Sequence, residues 1–113
     1  MSTLRNKVQL IGNVGNDPEI TSLKSGKKVA RFSMATNETF KNNEGERVQQ
    51  TDWHNVVIWG KLVDIVENYV TKGKEIALEG KLTSRSYETK EGEKRYVTEV
   101  VASEILLLGS KAE

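Results

Sequence analysis

Only one stretch of this 113-residue chain repeats with a helical period. Across Lys61 to Thr71, the residues Leu62, Ile65, Val66, Tyr69 and Val70 fall at i, i+3, i+4, i+7 and i+8 and make one apolar stripe. Gly73, just past Lys72, marks its stop. The other regular segments alternate with a period of two, and the order reads strand, strand, strand, helix, strand, strand. One helix cannot cover both faces of a five-stranded sheet, so the economical burial is to curl the sheet into a barrel and plug one end with the helix.

The strands follow from alternation. Lys7 to Val14 sets Val8, Leu10, Gly12 and Val14 against Lys7, Gln9, Ile11 and Asn13, with Gly12 permitting a bend or a close backbone approach. Asn13 to Pro18 is dense in turn formers, and a short extended piece follows at Glu19 to Leu23. Lys28 to Asn37 directs Ala30, Phe32 and Met34 inward and Arg31, Ser33 and Ala35 outward. Glu38 to Gln50 is a polar connection with one conspicuous apolar residue, Phe40, either a loop anchor or a contact residue. The third strand, Gln50 to Lys61, puts Val56, Ile58 and His54 on one face and Trp53, Asn55, Val57 and Trp59 on the other. Glu75 to Tyr87 and Arg95 to Leu108 complete the set around a charged hairpin tip at Gly92. The predicted class is all-β with one helix: an OB-fold, a five-stranded Greek-key barrel with its helix between strands 3 and 4. Residues 1–113 read as a single domain, with 109–113 a short polar end.

Composition narrows the chemistry. With no cysteine there is no disulfide framework and no thiolate metal site, and one histidine makes no metal cluster. No Walker-type loop, nucleophile elbow or zinc-protease helix occurs, so no enzyme, cofactor or metal is expected. Glu79 and Glu99 alternate outward within strands and read as ordinary sheet-surface charges. The first residues lack the apolar run of a signal peptide, which favours a cytoplasmic protein. A formal charge of +1 leaves room for a local basic groove but not for binding by charge alone.

Aromatic placement carries more. Of seven aromatic residues, Phe32 and Tyr69 face inward by pattern and Tyr96 is open to either reading. The remaining four, Phe40, Trp53, Trp59 and Tyr87, fall on outward faces or in a connection, with Lys41, Lys61, Lys81 and Arg85 nearby. Trp53 and Trp59 stand roughly 20 Å apart along an extended strand. Exposed rings among cations suit single-stranded nucleic acid, whose bases stack on the rings while Lys and Arg follow the phosphates. The competing readings are a subunit contact, a protein-docking module and a sugar-binding or hydrolytic site. A sugar site would want carboxylates and amides beside the rings.

Several segments together resemble the bacterial single-stranded DNA-binding protein family. They are Asn6-Lys7-Val8, Ile11 to Glu19, Ala35-Thr36-Asn37-Glu38, Thr51 to Lys61, Lys72-Gly73, Leu78 to Leu82 and Tyr96 to Val101. The resemblance covers Arg5 to Leu108. It implies a homotetrameric OB-fold that wraps single-stranded DNA in replication, recombination and repair. It also implies stacking roles for Phe40, Trp53, Trp59 and Tyr87, and phosphate contacts from Lys7, Lys61, Lys72 and Arg85. His54 falls at a position that the resemblance assigns to a subunit interface. Thr71, Thr83 and Ser86 stand where basic residues occur in the family, so a less positive groove is expected. A nucleoid-associated location in the bacterial cytoplasm is implied as well. Such proteins usually continue into a Gly/Pro-rich tail with an acidic tip that recruits replication and repair proteins. Here the sequence ends at Gly109-Ser110-Lys111-Ala112-Glu113, as expected of a shortened form or of a tail-less phage or plasmid relative.

Overall fold

The computed structural model describes residues 4–109. A 3-10 turn at Leu4–Asn6 leads into β1 (Val8–Val14), β2 (Glu19–Ser22), β3 (Lys28–Lys41), β4 (Arg47–Trp59), α1 (Leu62–Tyr69), β5 (Glu75–Glu88) and β6 (Lys94–Leu107). The start at Met1 to Thr3 and the polar end beyond Gly109 lie outside the described residues.

Sheet order β1-β5-β6-β4-β3 returns to β1 through the pairs Asn13↔Ala35 and Val14↔Met34, which closes a five-stranded barrel. The short piece after Pro18 is a sixth strand, β2. It pairs with the first residues of β3, on the edge that β1 occupies further along. The helix accordingly falls between β4 and β5 in this numbering. All pairings are antiparallel except β4 with β6, which run parallel at Val56↔Val100 and Val57↔Val101. That Greek-key closure is the OB-fold.

Closure depends on Gly12. A Cβ there would collide with the Ala35 carbonyl, so only glycine lets β1 lie this close to β3. The interior is filled from the inward positions of every barrel strand, among them Phe32, Met34, Val56, Ile58, Ile76 and Leu78. Burial of each such side chain contributes about 1.5–3 kcal/mol.

The helix plugs the barrel by a different edge of its stripe than periodicity suggests. Val63, Val66 and Val70 are buried, Leu62 and Ile65 are half-buried, and Tyr69 is 60% exposed. The compact valines enter the barrel mouth, and the larger tyrosine, whose hydroxyl needs a polar partner or water, turns outward. After the helix, Gly73 N donates to Val14 O and Val14 N to Lys74 O, tying this turn to the end of β1. No helix among the described residues is long and apolar enough to cross a membrane.

Two arms leave the barrel. Beyond Ala35 and Val56, β3 and β4 pair only with each other, out to Lys41↔Arg47. Beyond Leu82 and Val100, β5 and β6 do the same, out to Glu88↔Lys94. The segment expected as a polar connection, Glu38 to Gln50, is therefore mostly strand. Both faces of such an arm meet water, so its sequence loses the apolar alternation by which strands are read.

Candidate nucleic-acid interface

Along β4 the outer face presents Trp53, Asn55, Val57 and Trp59 in turn. Trp53 is 63% exposed and Trp59 nearly half exposed. Trp53 rests on backbone: a Cβ at Gly15 would run into its ring carbons and into the Ser33 hydroxyl. The loop under the ring is pinned, since Asn16 Oδ1 accepts from Ser33 N at 2.8 Å and from Ser33 Oγ at 2.7 Å. Gly15 N also donates to Ser33 O at 2.8 Å. The turn formers after β1 thus build a shelf for an exposed indole.

Between the two tryptophans lies a charged cluster that sequence reading did not join. Arg31 Nη1 donates to Glu99 Oε2 at 3.1 Å, and Arg85 donates through Nε to Oε1 at 3.2 Å and through Nη2 to Oε2 at 3.4 Å. Glu99 alternates outward as expected, yet it is only 9% exposed. It is a buried hub and not an ordinary surface charge, because two guanidiniums close over it. Its hydrogen bond, and then its charge, raise the pKa of Arg85 above the ordinary guanidinium value. Two cations and one anion leave the cluster with a net charge of +1. Beside it, a depression of about 360 Å³ has Asn16, Ser33, Asn55, Arg31 and Arg85 among its lining residues, with Glu19 and Glu99 as its carboxylates. The only sequence signal was the outward parity of Arg31, Arg85 and Glu99. Arg85 meets Glu99 across the antiparallel β5–β6 hairpin, where Thr83 is the register partner of Glu99; Arg31 reaches it only through the parallel β4–β6 pairing, which no local pattern announces.

The other expected site residues are dispersed. Tyr87 is half exposed on the β5–β6 arm, with the same outward parity as Arg85. Phe40 is also half exposed, but its register with Val48 gives it the parity of Met34 and His54. It therefore occupies the opposite face of the β3–β4 ribbon from Trp53. Lys61 is exposed at the start of the helix, two residues beyond Trp59. Lys72 is exposed in the turn after the helix, where its backbone N–H donates to Asp17 Oδ1 at 2.9 Å. Lys7 Nζ lies 3.6 Å from Glu79 Oε1, on the β1–β5 side of the barrel. His54 is half-buried and shares a hydrogen bond of 2.9 Å with Thr36 Oγ1. Among the described residues, no three His, Asp or Glu side chains are grouped to hold a metal ion.

The family model described as the single-strand binding protein family matches residues 5–108. The chain is 46% identical over 107 residues to single-stranded DNA-binding protein 1 of Chlorobaculum tepidum, spanning 94% of this chain and 66% of that protein. It is 43% identical over 108 residues to the single-stranded DNA-binding protein of Neisseria meningitidis, spanning 96% and 62% respectively. Similarity to the Rickettsia felis single-stranded DNA-binding protein reaches 48% identity over 112 residues, 94% of this chain and 74% of that one. This sequence thus spans less than two thirds of the length of the first two relatives. A solved structure of the Plasmodium falciparum SSB complex with ssDNA superposes with a TM-score of 0.88 at 35% identity, covering 96% of this chain and 99% of the other.

Proposed function

The chain belongs to the single-strand binding protein family, and on that premise we propose that it binds single-stranded DNA without strong sequence preference. Bases stack on Trp53, Trp59, Tyr87 and Phe40, while Arg85, Lys61, Lys72 and Lys7 follow phosphates. The observation that carries this reading is the outer face of β4, where two exposed indoles flank a cluster of net positive charge. Stacking is indifferent to base identity because every base has a π-face. The protein works by holding and protecting strands and not by catalysis, in replication, recombination and repair within the bacterial cytoplasm. Replication and repair proteins are its natural partners there.

The working unit is a homotetramer. Ile11 and Leu106 are largely exposed on either side of Ala77, in one cross-strand row on the outer face of β1, β5 and β6. A second copy would cover that apolar row. His54, half-buried at the base of the β3–β4 arm, serves a subunit contact.

Competition between a single-stranded oligonucleotide and its hairpin-free duplex tests the function. Stacked platforms reach only unpaired bases, so the single strand should win strongly. Equal affinity for the duplex rejects the reading.

A further inference from the structure

Arg31 has no role in the stacking scheme above, yet it stands at the centre of the face. Its cross-strand partner is Val57, the residue midway between Asn55 and Trp59 on the outer row. It bonds to Glu99, which lies on β6, the strand on the far side of β4. Neighbouring strands are about 4.8 Å apart, so an ion pair from β3 to β6 must lie flat across β4. That explains why Val57, on an outward face, is only 3% exposed. The Arg31–Glu99 pair thus lies on the outer face of β4 between the two tryptophans, and Arg85 joins it from the β5 side.

We propose that Arg31 and Arg85, joined through the buried Glu99 carboxylate, form one seat for a phosphodiester of the bound strand, with Arg31 an additional contact residue. The inference rests on the single-strand reading above. Trp53 and Trp59 are roughly 20 Å apart along β4, farther than one stacked base reaches. The backbone joining bases stacked on the two rings must therefore cross the Asn55–Val57 stretch, where the guanidiniums lie. Each guanidinium has five N–H donors, and only three in all are engaged with Glu99. Both side chains remain about half open to solvent. Glu99 is a positioning residue: it holds two like charges side by side and lowers the charge that the phosphate meets from +2 to +1.

The test is the salt dependence of binding to oligo-dT, followed by tryptophan fluorescence. A single-strand phosphate contact contributes about 0.7 to the slope of log K against log salt. Arg31→Gln should flatten the slope by about that amount while leaving the saturated quench unchanged, and Arg31→Lys should restore the slope. Glu99→Gln should steepen it, because the seat then carries two uncompensated cations. A merely structural Arg31, roofing Val57, would lower the melting temperature of Arg31→Gln and leave its slope at the wild-type value; that result overturns the proposal. If Arg31→Gln does not fold, Glu99→Gln decides, and a slope no steeper than wild type overturns it. Wild-type protein that binds oligo-dT beside variants with unchanged slopes refutes this seat alone. Wild-type protein that fails to bind refutes the single-strand reading itself.

Discussion

The Trp53 ring lies so close over Gly15 that a Cβ there would meet it, which gives this glycine a role at the outer face of β4. Trp53→Ala should weaken oligo-dT binding by about 1–3 kcal/mol, the scale of one base stack, with little effect on folding. Gly15→Ala puts a methyl group into the space of the ring and should reproduce part of that loss. In the Trp53→Ala background the Gly15 substitution should then cost nothing further in binding. A double-mutant cycle measures this coupling, and full additivity would mean that the shelf is irrelevant to the ring. Arg85 carries a different expectation. Its pKa is raised in the folded state, so its stabilising contribution is fully present below the unfolded value and is lost only as pH rises through the higher folded one. The charge of the seat should consequently be constant from about pH 7 to 9, where a free guanidinium is fully protonated. Titrations across that range should show no change attributable to Arg85.

At the scale of elements, the β3–β4 arm separates two residues proposed to stack on bases. Phe40 and Trp53 have opposite parity on one ribbon, so a strand that uses both must pass over the ribbon's edge. Phe40→Ala should therefore weaken long oligo-dT and spare an oligonucleotide just long enough to span Trp53 and Trp59. An equal loss at both lengths would place Phe40 on the same track as Trp53. In the barrel, Ile58 is fully buried beneath the same strand. Ile58→Ala should cost about 2–5 kcal/mol of stability, read as a lower urea midpoint, with the outer face left competent at low temperature. Much of this was legible from residues. Val56 and Ile58 against Trp53 and Trp59 disclosed both faces of β4, and one helical stripe among strands implied a plugged barrel. Parity could not be extended to Phe40 while its segment read as a loop. The Glu99 hub was hidden because Arg31 reaches it from β3 across a parallel pairing with no sequence trace, and the Arg85 contact alone, across the β5–β6 hairpin, reads as a surface ion pair. Tyr69 was misplaced because periodicity locates a stripe but not which edge of it fits a narrow mouth.

For the whole molecule, a net charge of +1 makes the distribution of charge matter more than its sum. Binding should be salt-dependent but far from abolished at moderate salt, since stacking carries much of it. Assembly belongs to another surface. Replacing Ile11 and Leu106 with aspartate should dissociate the proposed tetramer, as followed by light scattering, because charges would enter the apolar row proposed as its contact. A tetramer that survives both substitutions would locate the contact elsewhere. Base stacking on the outer face of β4 is read out by the fluorescence of Trp53→Phe and Trp59→Phe titrated with oligo-dT. Each variant keeps one indole as reporter. Saturable quenching is expected from both, Trp59 reporting in the first and Trp53 in the second; an indole that stays unquenched in either while the strand is bound would contradict it.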